Sequence, residues 1–112
     1  MTRNRLGASV AVFKPKPQQL LTTIRSLASD SSNVAFTEHA LERMELRDIT
    51  TPDALLVLRT GDIIGDIEPG RSNGEWKCKV VARKRASREV GVVTVVSQLG
   101  RLVIKTVEWE DM

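Results

Sequence analysis

The chain has no tyrosine, one cysteine and one histidine among its 112 residues. The single cysteine, Cys78, excludes an intramolecular disulfide, and one cysteine with one histidine cannot supply the ligands of a zinc site. No apolar run approaches the roughly 20 residues that span a bilayer, and the N-terminus lacks the hydrophobic segment of a signal peptide. We therefore expect a cytoplasmic protein that has no cofactor and no contact with a membrane.

Net charge is also small, because 17 Lys and Arg residues oppose 14 Asp and Glu residues. The cations are nevertheless segregated: residues 1–16 carry four cations and residues 76–88 carry six, and neither segment has an acid. Such segregation creates a local positive field that a polyanion such as RNA could use. It is also common on ordinary soluble surfaces, so charge alone does not separate the two interpretations.

The length of the chain suits one compact domain with a modest core. Residues 1–16 show no sustained period and end in a Lys-Pro-Lys-Pro run that includes Pro17, which predicts a basic arm that could be mobile. Residues 17–112 carry the periodic patterns and are predicted to form a single α+β domain.

Three helices are predicted in the first half of the domain. Apolar residues recur at helical spacing from Pro17, so the first helix should end near Asp30. Thr37 is the predicted N-cap of the second helix. A hydroxyl, a proline and an acid at residues 51–53 predict the start of a third helix, which Gly61 ends.

Four strands are predicted after the helices. They are Asp62 to Ile67, Trp76 to Arg83, Val90 to Ser97 and Arg101 to Trp109. Their short connections favour an antiparallel meander. The predicted fold class is α+β, with the N-terminal helices packed on one face of a small, mainly antiparallel four-stranded sheet.

The only histidine, His39, lies four and eight residues before Arg43 and Arg47 on the second predicted helix. At about 100° per residue, these three side chains form one stripe. An imidazole beside two guanidinium groups suits proton transfer next to a phosphate. The alternative is a solvated helix edge, because this spacing is common.

A second group of candidates comes from strand alternation. In the strand from 76 to 83 three cations share one face, and in the last strand Lys105 and Trp109 share one face. If the two strands are neighbours, these side chains form a basic surface with an aromatic ring for base stacking. The alternative is a solvated face whose lysines discourage edge-to-edge aggregation. The candidate RNA-binding residues are Lys77, Lys79, Arg83, Lys105 and Trp109.

The segments FTEHALERMELRDIT at residues 36–50 and VLRTGDII at residues 57–64 resemble a small bacterial family known as domain of unknown function 4258. The resemblance covers roughly residues 36–110. Members of that family are similar to the RelE-like toxin superfamily, which includes the MqsR toxins and whose compact sheet with N-terminal helices supports metal-independent RNA cleavage. The resemblance therefore implies a RelE-like toxin fold.

The same resemblance implies a function: a metal-independent endoribonuclease of a bacterial toxin-antitoxin system, in which an RNA 2′-hydroxyl attacks the adjacent phosphodiester. His39 would move the proton, and Arg43 and Arg47 would hold the scissile phosphate. RNA and an antitoxin protein would be the partners. The absence of tyrosine excludes a direct copy of the catalytic set of some toxins. The alternative is a non-catalytic basic module that binds an acidic protein segment or nucleic acid.

Overall fold

The computed structural model describes residues 13–83 and 88–111. The described residues form three α-helices and five strands: α1 (Pro17–Ala28), β1 (Val34–Phe36), α2 (Glu38–Arg47), α3 (Thr51–Thr60), β2 (Asp62–Pro69), β3 (Trp76–Arg83), β4 (Glu89–Val96) and β5 (Leu102–Trp109). Most of the predicted basic arm, residues 1–12, lies outside the described residues. Within them, no helix is both long enough and apolar enough to cross a membrane.

Local hydrogen bonds explain where the helices begin and end. The Thr37 hydroxyl accepts from the Ala40 amide at 3.0 Å, so Thr37 caps α2 as predicted. The cap of α3 is Thr50, one residue earlier than predicted, and it exchanges hydrogen bonds with Asp53 in a capping box. Gly61 ends α3 and donates its amide to Val57 at 2.7 Å.

The strands form one mixed sheet in the order β1-β5-β4-β3-β2. Strands β2 to β5 pair antiparallel as a meander, whereas β1 pairs parallel with β5. The prediction of a four-stranded, mainly antiparallel sheet was therefore wrong, because the described sheet has five strands and one parallel pair. At three residues, β1 is too short to show a strand period, and its partner lies near the other end of the sequence.

All three helices cover the same face of the sheet, and the hydrophobic core lies between the helices and the sheet. Burying one aliphatic side chain of this kind contributes about 1.5–3 kcal/mol. The fully buried residues of this core include Ile24, Leu58, Val80, Val92, Leu102, Ile104 and Val107. We call the opposite side the open face, because no described helix packs on it.

A bulge at Lys105 changes which side chains of β5 share a face. Val93 pairs with Thr106 and Thr94 pairs with Ile104, so Lys105 is the extra residue. Trp109 then lies opposite Val90, which is fully buried under the helices. The prediction that Trp109 shares a face with Lys105 was therefore wrong, since a one-residue insertion reverses the alternation.

Candidate functional site

The first turn of α2 begins at the edge of β5, directly beside Lys105. The Thr37 amide donates to the Ile104 carbonyl at 3.1 Å, and the Thr37 hydroxyl donates to the Lys105 carbonyl at 3.4 Å. His39 follows two residues later and is exposed. The sole histidine therefore lies at the sheet edge near the bulge.

Arg47 has a contact that its helical spacing did not reveal. Its Nη1 donates to the Val107 carbonyl at 2.9 Å, and its own carbonyl accepts from Trp109 Nε1 at 2.9 Å. Because β1 ends at Phe36, this part of the β5 edge has no neighbouring strand among the described residues. Arg47 thus satisfies a strand-edge carbonyl, whereas Arg43, one turn earlier, makes no side-chain hydrogen bond or ion pair with a described residue.

Trp109 contacts Arg88 through its ring and the Arg47 carbonyl through its Nε1, instead of lying among the lysines. The Arg88 guanidinium carbon lies 3.9 Å from the centre of the indole ring. Arg88 also donates to both carboxylate oxygens of Asp111, at 3.0 and 3.3 Å, and this hydrogen bonding lowers the pKa of Asp111. The indole is thus covered on one side by a cation that is itself held by a carboxylate.

On the open face, Lys79 is already bound to two acids. Its Nζ lies 2.9 Å from Glu110 and 3.7 Å from Glu108. The hydrogen bond to Glu110 and the charges of both carboxylates raise the pKa of Lys79. The Glu110 carboxylate lies where a side chain on Gly91 would be, so the glycine makes room for this ion pair. Lys79 therefore contributes less positive field than the sequence predicted.

Lys77 and Lys105 do come together, around a groove of about 450 Å³. Both are exposed, and they are joined by Arg71 from the turn between β2 and β3. The residues that line this Arg71 groove are Pro69, Gly70, Arg71, Glu75, Lys77, Val95 and Lys105. Sequence analysis missed Arg71, although a cation within a glycine-flanked turn just before a basic strand is a signal that could have indicated it.

Arg83 lies apart from this groove. It is exposed at the end of β3, where it pairs across the sheet with Glu89. The neighbouring cations of the predicted basic segment, Lys84 and Arg85, lie outside the described residues. The predicted RNA-binding set is therefore divided: the Arg71 groove unites two of its members, and the other three lie elsewhere.

Candidate metal ligands are scattered in the part of the chain that the structure describes. No three His, Cys, Asp or Glu side chains there are close enough together to hold a metal ion. Cys78 is buried, and this burial raises the pKa of its thiol to about 11. Thiolate chemistry at neutral pH is therefore disfavoured.

These features define a small α+β domain with helices over one face of a mixed sheet and a cationic groove on the other. The chain belongs to the family described as a domain of unknown function (DUF4258), whose model matches residues 36–109. This match confirms the predicted family and includes His39, Lys77 and Lys105. No curated protein matches the chain, and no solved structure matches it.

Proposed function

We propose that this protein binds single-stranded RNA in the Arg71 groove and cleaves it at His39 as a metal-independent endoribonuclease. The observation that carries the proposal is the position of Lys105, which lines the groove and whose carbonyl binds Thr37, the cap of the helix that bears His39. We infer that an RNA strand held by the groove continues past Lys105 toward the exposed imidazole of His39.

The chemistry of the two parts is complementary. The two lysines of the groove bind flanking phosphates by charge, and such phosphate contacts position the strand. The imidazole of His39 accepts the proton of a 2′-hydroxyl, and O2′ attacks the adjacent phosphorus. The bond to the 5′-oxygen breaks, and that oxygen takes a proton from solvent. The products are a 2′,3′-cyclic phosphate and a 5′-hydroxyl.

Arg43 is the residue that stabilises the charge of the pentacoordinate phosphorus in this proposal. It lies one turn after His39 on the same side of α2, and the guanidinium of an arginine can hold two phosphate oxygens at once. Arg47 has a smaller part, because one of its N–H groups is bound to the Val107 carbonyl.

The proposal extends to a biological role that follows from the family resemblance. The chain would act as the toxin of a bacterial toxin-antitoxin system, related to the RelE-like and MqsR toxins. An antitoxin protein would then neutralise it by covering the Arg71 groove with acidic side chains. The groove suits such a partner because its cations are exposed.

Cleavage of end-labelled single-stranded RNA by the full chain in excess EDTA tests the proposal. We expect products that end in a 2′,3′-cyclic phosphate. Replacing His39 by alanine should abolish turnover but leave RNA affinity nearly unchanged, because the side chain is exposed. Intact RNA across varied sequences, with a folded protein, would refute the nuclease.

The groove has its own test, which is the salt dependence of RNA binding. Replacing Lys77 and Lys105 together by alanine removes two phosphate contacts, so the slope of log K against log salt should decrease by about 1.4. Replacing Lys14 and Lys16 together by alanine is the matched control, because both lysines are exposed and neither lines the Arg71 groove. An equal decrease of this slope in the control would show that RNA does not bind specifically in the Arg71 groove.

One contact favours a second candidate, a non-catalytic module for an acidic protein segment. Lys79 holds Glu108 and Glu110 on the open face, so this face already binds carboxylates. A twelve-residue peptide rich in Asp and Glu should then bind the full chain, and the Lys77 and Lys105 double variant should weaken it. Peptide binding without RNA turnover would favour this candidate over the nuclease.

A further inference from the structure

We propose that Glu75 makes the Arg71 groove selective for guanine. This inference rests on the proposed binding of RNA in that groove. Glu75 is a carboxylate among lining residues that otherwise contribute three cations and apolar surface. An acid at that position repels phosphate, so Glu75 would weaken a groove that only held phosphates.

The turn between β2 and β3 fixes the Glu75 carboxylate in place. Oε1 accepts from the Ser72 amide at 3.2 Å, and the Glu75 amide donates to the Ser72 carbonyl at 3.1 Å. The Gly70 amide closes the turn by donating to the Glu75 carbonyl at 2.8 Å. The side chain is therefore held before any ligand enters.

The carboxylate also keeps acceptor capacity for a ligand. Two carboxylate oxygens offer about four acceptor positions, and the Ser72 amide uses one of them. In the part of the chain that the structure describes, Glu75 forms no ion pair with Arg71, Lys77 or any other cation. Its remaining lone pairs are thus available to N–H donors in the groove.

Guanine is the base whose edge matches this arrangement. Its N1–H and N2 amino group are adjacent donors, which pair with the two oxygens of one carboxylate. Adenine, cytosine and uracil each present a single donor on this edge, next to a ring-nitrogen or carbonyl acceptor, so one carboxylate oxygen would face an acceptor and the contact could not be bidentate. Lys77 and Lys105 then take the flanking phosphates, and the Arg71 plane can stack on the ring.

The dimensions agree with one nucleotide unit. The groove has a volume of about 450 Å³, and pockets of about 300–1,000 Å³ hold small organic ligands. Val95 forms an apolar part of the lining. The groove is therefore large enough to hold a base against Glu75 next to a phosphate at a lysine.

Binding of 2′-O-methyl uridine decamers with one central guanosine, adenosine or inosine tests the inference by fluorescence anisotropy. These oligonucleotides lack the attacking hydroxyl, so cleavage cannot distort the affinities. The guanosine decamer should bind about tenfold tighter than the adenosine decamer, since a bidentate contact discriminates by about 1–3 kcal/mol. Inosine keeps N1–H but lacks the amino group, so its affinity should be intermediate.

Glu75→Gln is the decisive variant, because its amide oxygen can still accept from Ser72 while its amino group presents donors to the base. We expect the ratio of guanosine to adenosine affinity to decrease from about tenfold to below about twofold. Glu45→Gln removes the same charge from an exposed site on α2 and should leave the ratio unchanged.

The outcomes distinguish a failure of guanine selectivity from a failure of RNA binding in the Arg71 groove. Equal affinities for all decamers in the native protein would overturn guanine selectivity, and an undiminished ratio in Glu75→Gln would overturn the assignment of that selectivity to Glu75. RNA binding in the groove stands in both cases. Failure of the native protein to bind any decamer would overturn both.

Discussion

Replacing Arg47 by alanine distinguishes two roles that sequence alone cannot separate. As a phosphate ligand, Arg47 would matter for RNA and little for folding. As the partner of the Val107 carbonyl, which its Nη1 contacts at 2.9 Å, it would matter for stability. The structure favours the second role, because the contact joins α2 to the edge of β5.

The expected loss of stability in Arg47→Ala follows from this hydrogen bond. A hydrogen bond from a charged donor contributes about 1.5–3 kcal/mol. Arg47 is half-buried, so water can partly replace the lost donor, and we expect the free energy of unfolding to decrease by about 1–2 kcal/mol. The bond from Trp109 Nε1 to the Arg47 carbonyl involves the backbone and should survive. For a domain of this size, the loss corresponds to a decrease in Tm of roughly 4–8 °C.

Urea unfolding of Arg47→Ala beside Arg43→Ala provides the assay. Arg43 carries the same charge one turn earlier, and its side chain makes no hydrogen bond with a described residue, so its replacement should change the unfolding free energy by less than about 0.5 kcal/mol. Arg43→Ala should instead slow RNA cleavage. If Arg47→Ala unfolds like the native protein and loses cleavage as Arg43→Ala does, the assignment of Arg47 to the strand edge is wrong.

Two further predictions concern packing and pH. Gly61→Ala should lower the free energy of unfolding by about 2–4 kcal/mol, because the new Cβ would lie 2.6 Å from the Val81 carbonyl oxygen and 2.7 Å from the Val57 carbonyl oxygen. Thermal denaturation measures this loss, and an unchanged Tm would contradict the close packing at Gly61. The Cys78 thiol has its pKa raised to about 11, so the unfolded thiol, with a pKa of about 8.5, ionises first. The buried, neutral Cys78 thiol therefore contributes fully to the stability of the folded protein below about pH 8.5, and this contribution is lost as the pH rises toward 11. Alkylation by iodoacetamide at pH 8 should be slow in the native protein and fast in urea, and equal rates would refute the burial.

The sequence predicted the elements whose signals are local. The N-cap of α2 at Thr37 and the end of α3 at Gly61 depend on residues close in sequence, and both predictions are confirmed. The strand from Trp76 to Arg83 was predicted with its observed bounds, because alternation persists over its full length.

The features that sequence analysis missed depend on contacts between distant parts of the chain. The parallel partner of β5 is a three-residue strand whose pairing no local pattern encodes. The bulge at Lys105 moved Trp109 to the helix side, and only the register with β4 shows this. Arg71 joins the candidate site because the β2-β3 turn lies beside Lys105, a proximity that sequence spacing does not express.

Helix α1 lies outside the segment that the family model matches, but it completes the hydrophobic core. The family match begins at residue 36, yet α1 precedes it and contributes Leu20, Ile24 and Ala28 to the core. Arg59 of α3 also donates to the Ala28 carbonyl at 2.7 Å. The segment recognisable as a family is therefore smaller than the segment that folds, and a relative without such a helix must cover the apolar side of α3 with other residues or with another chain.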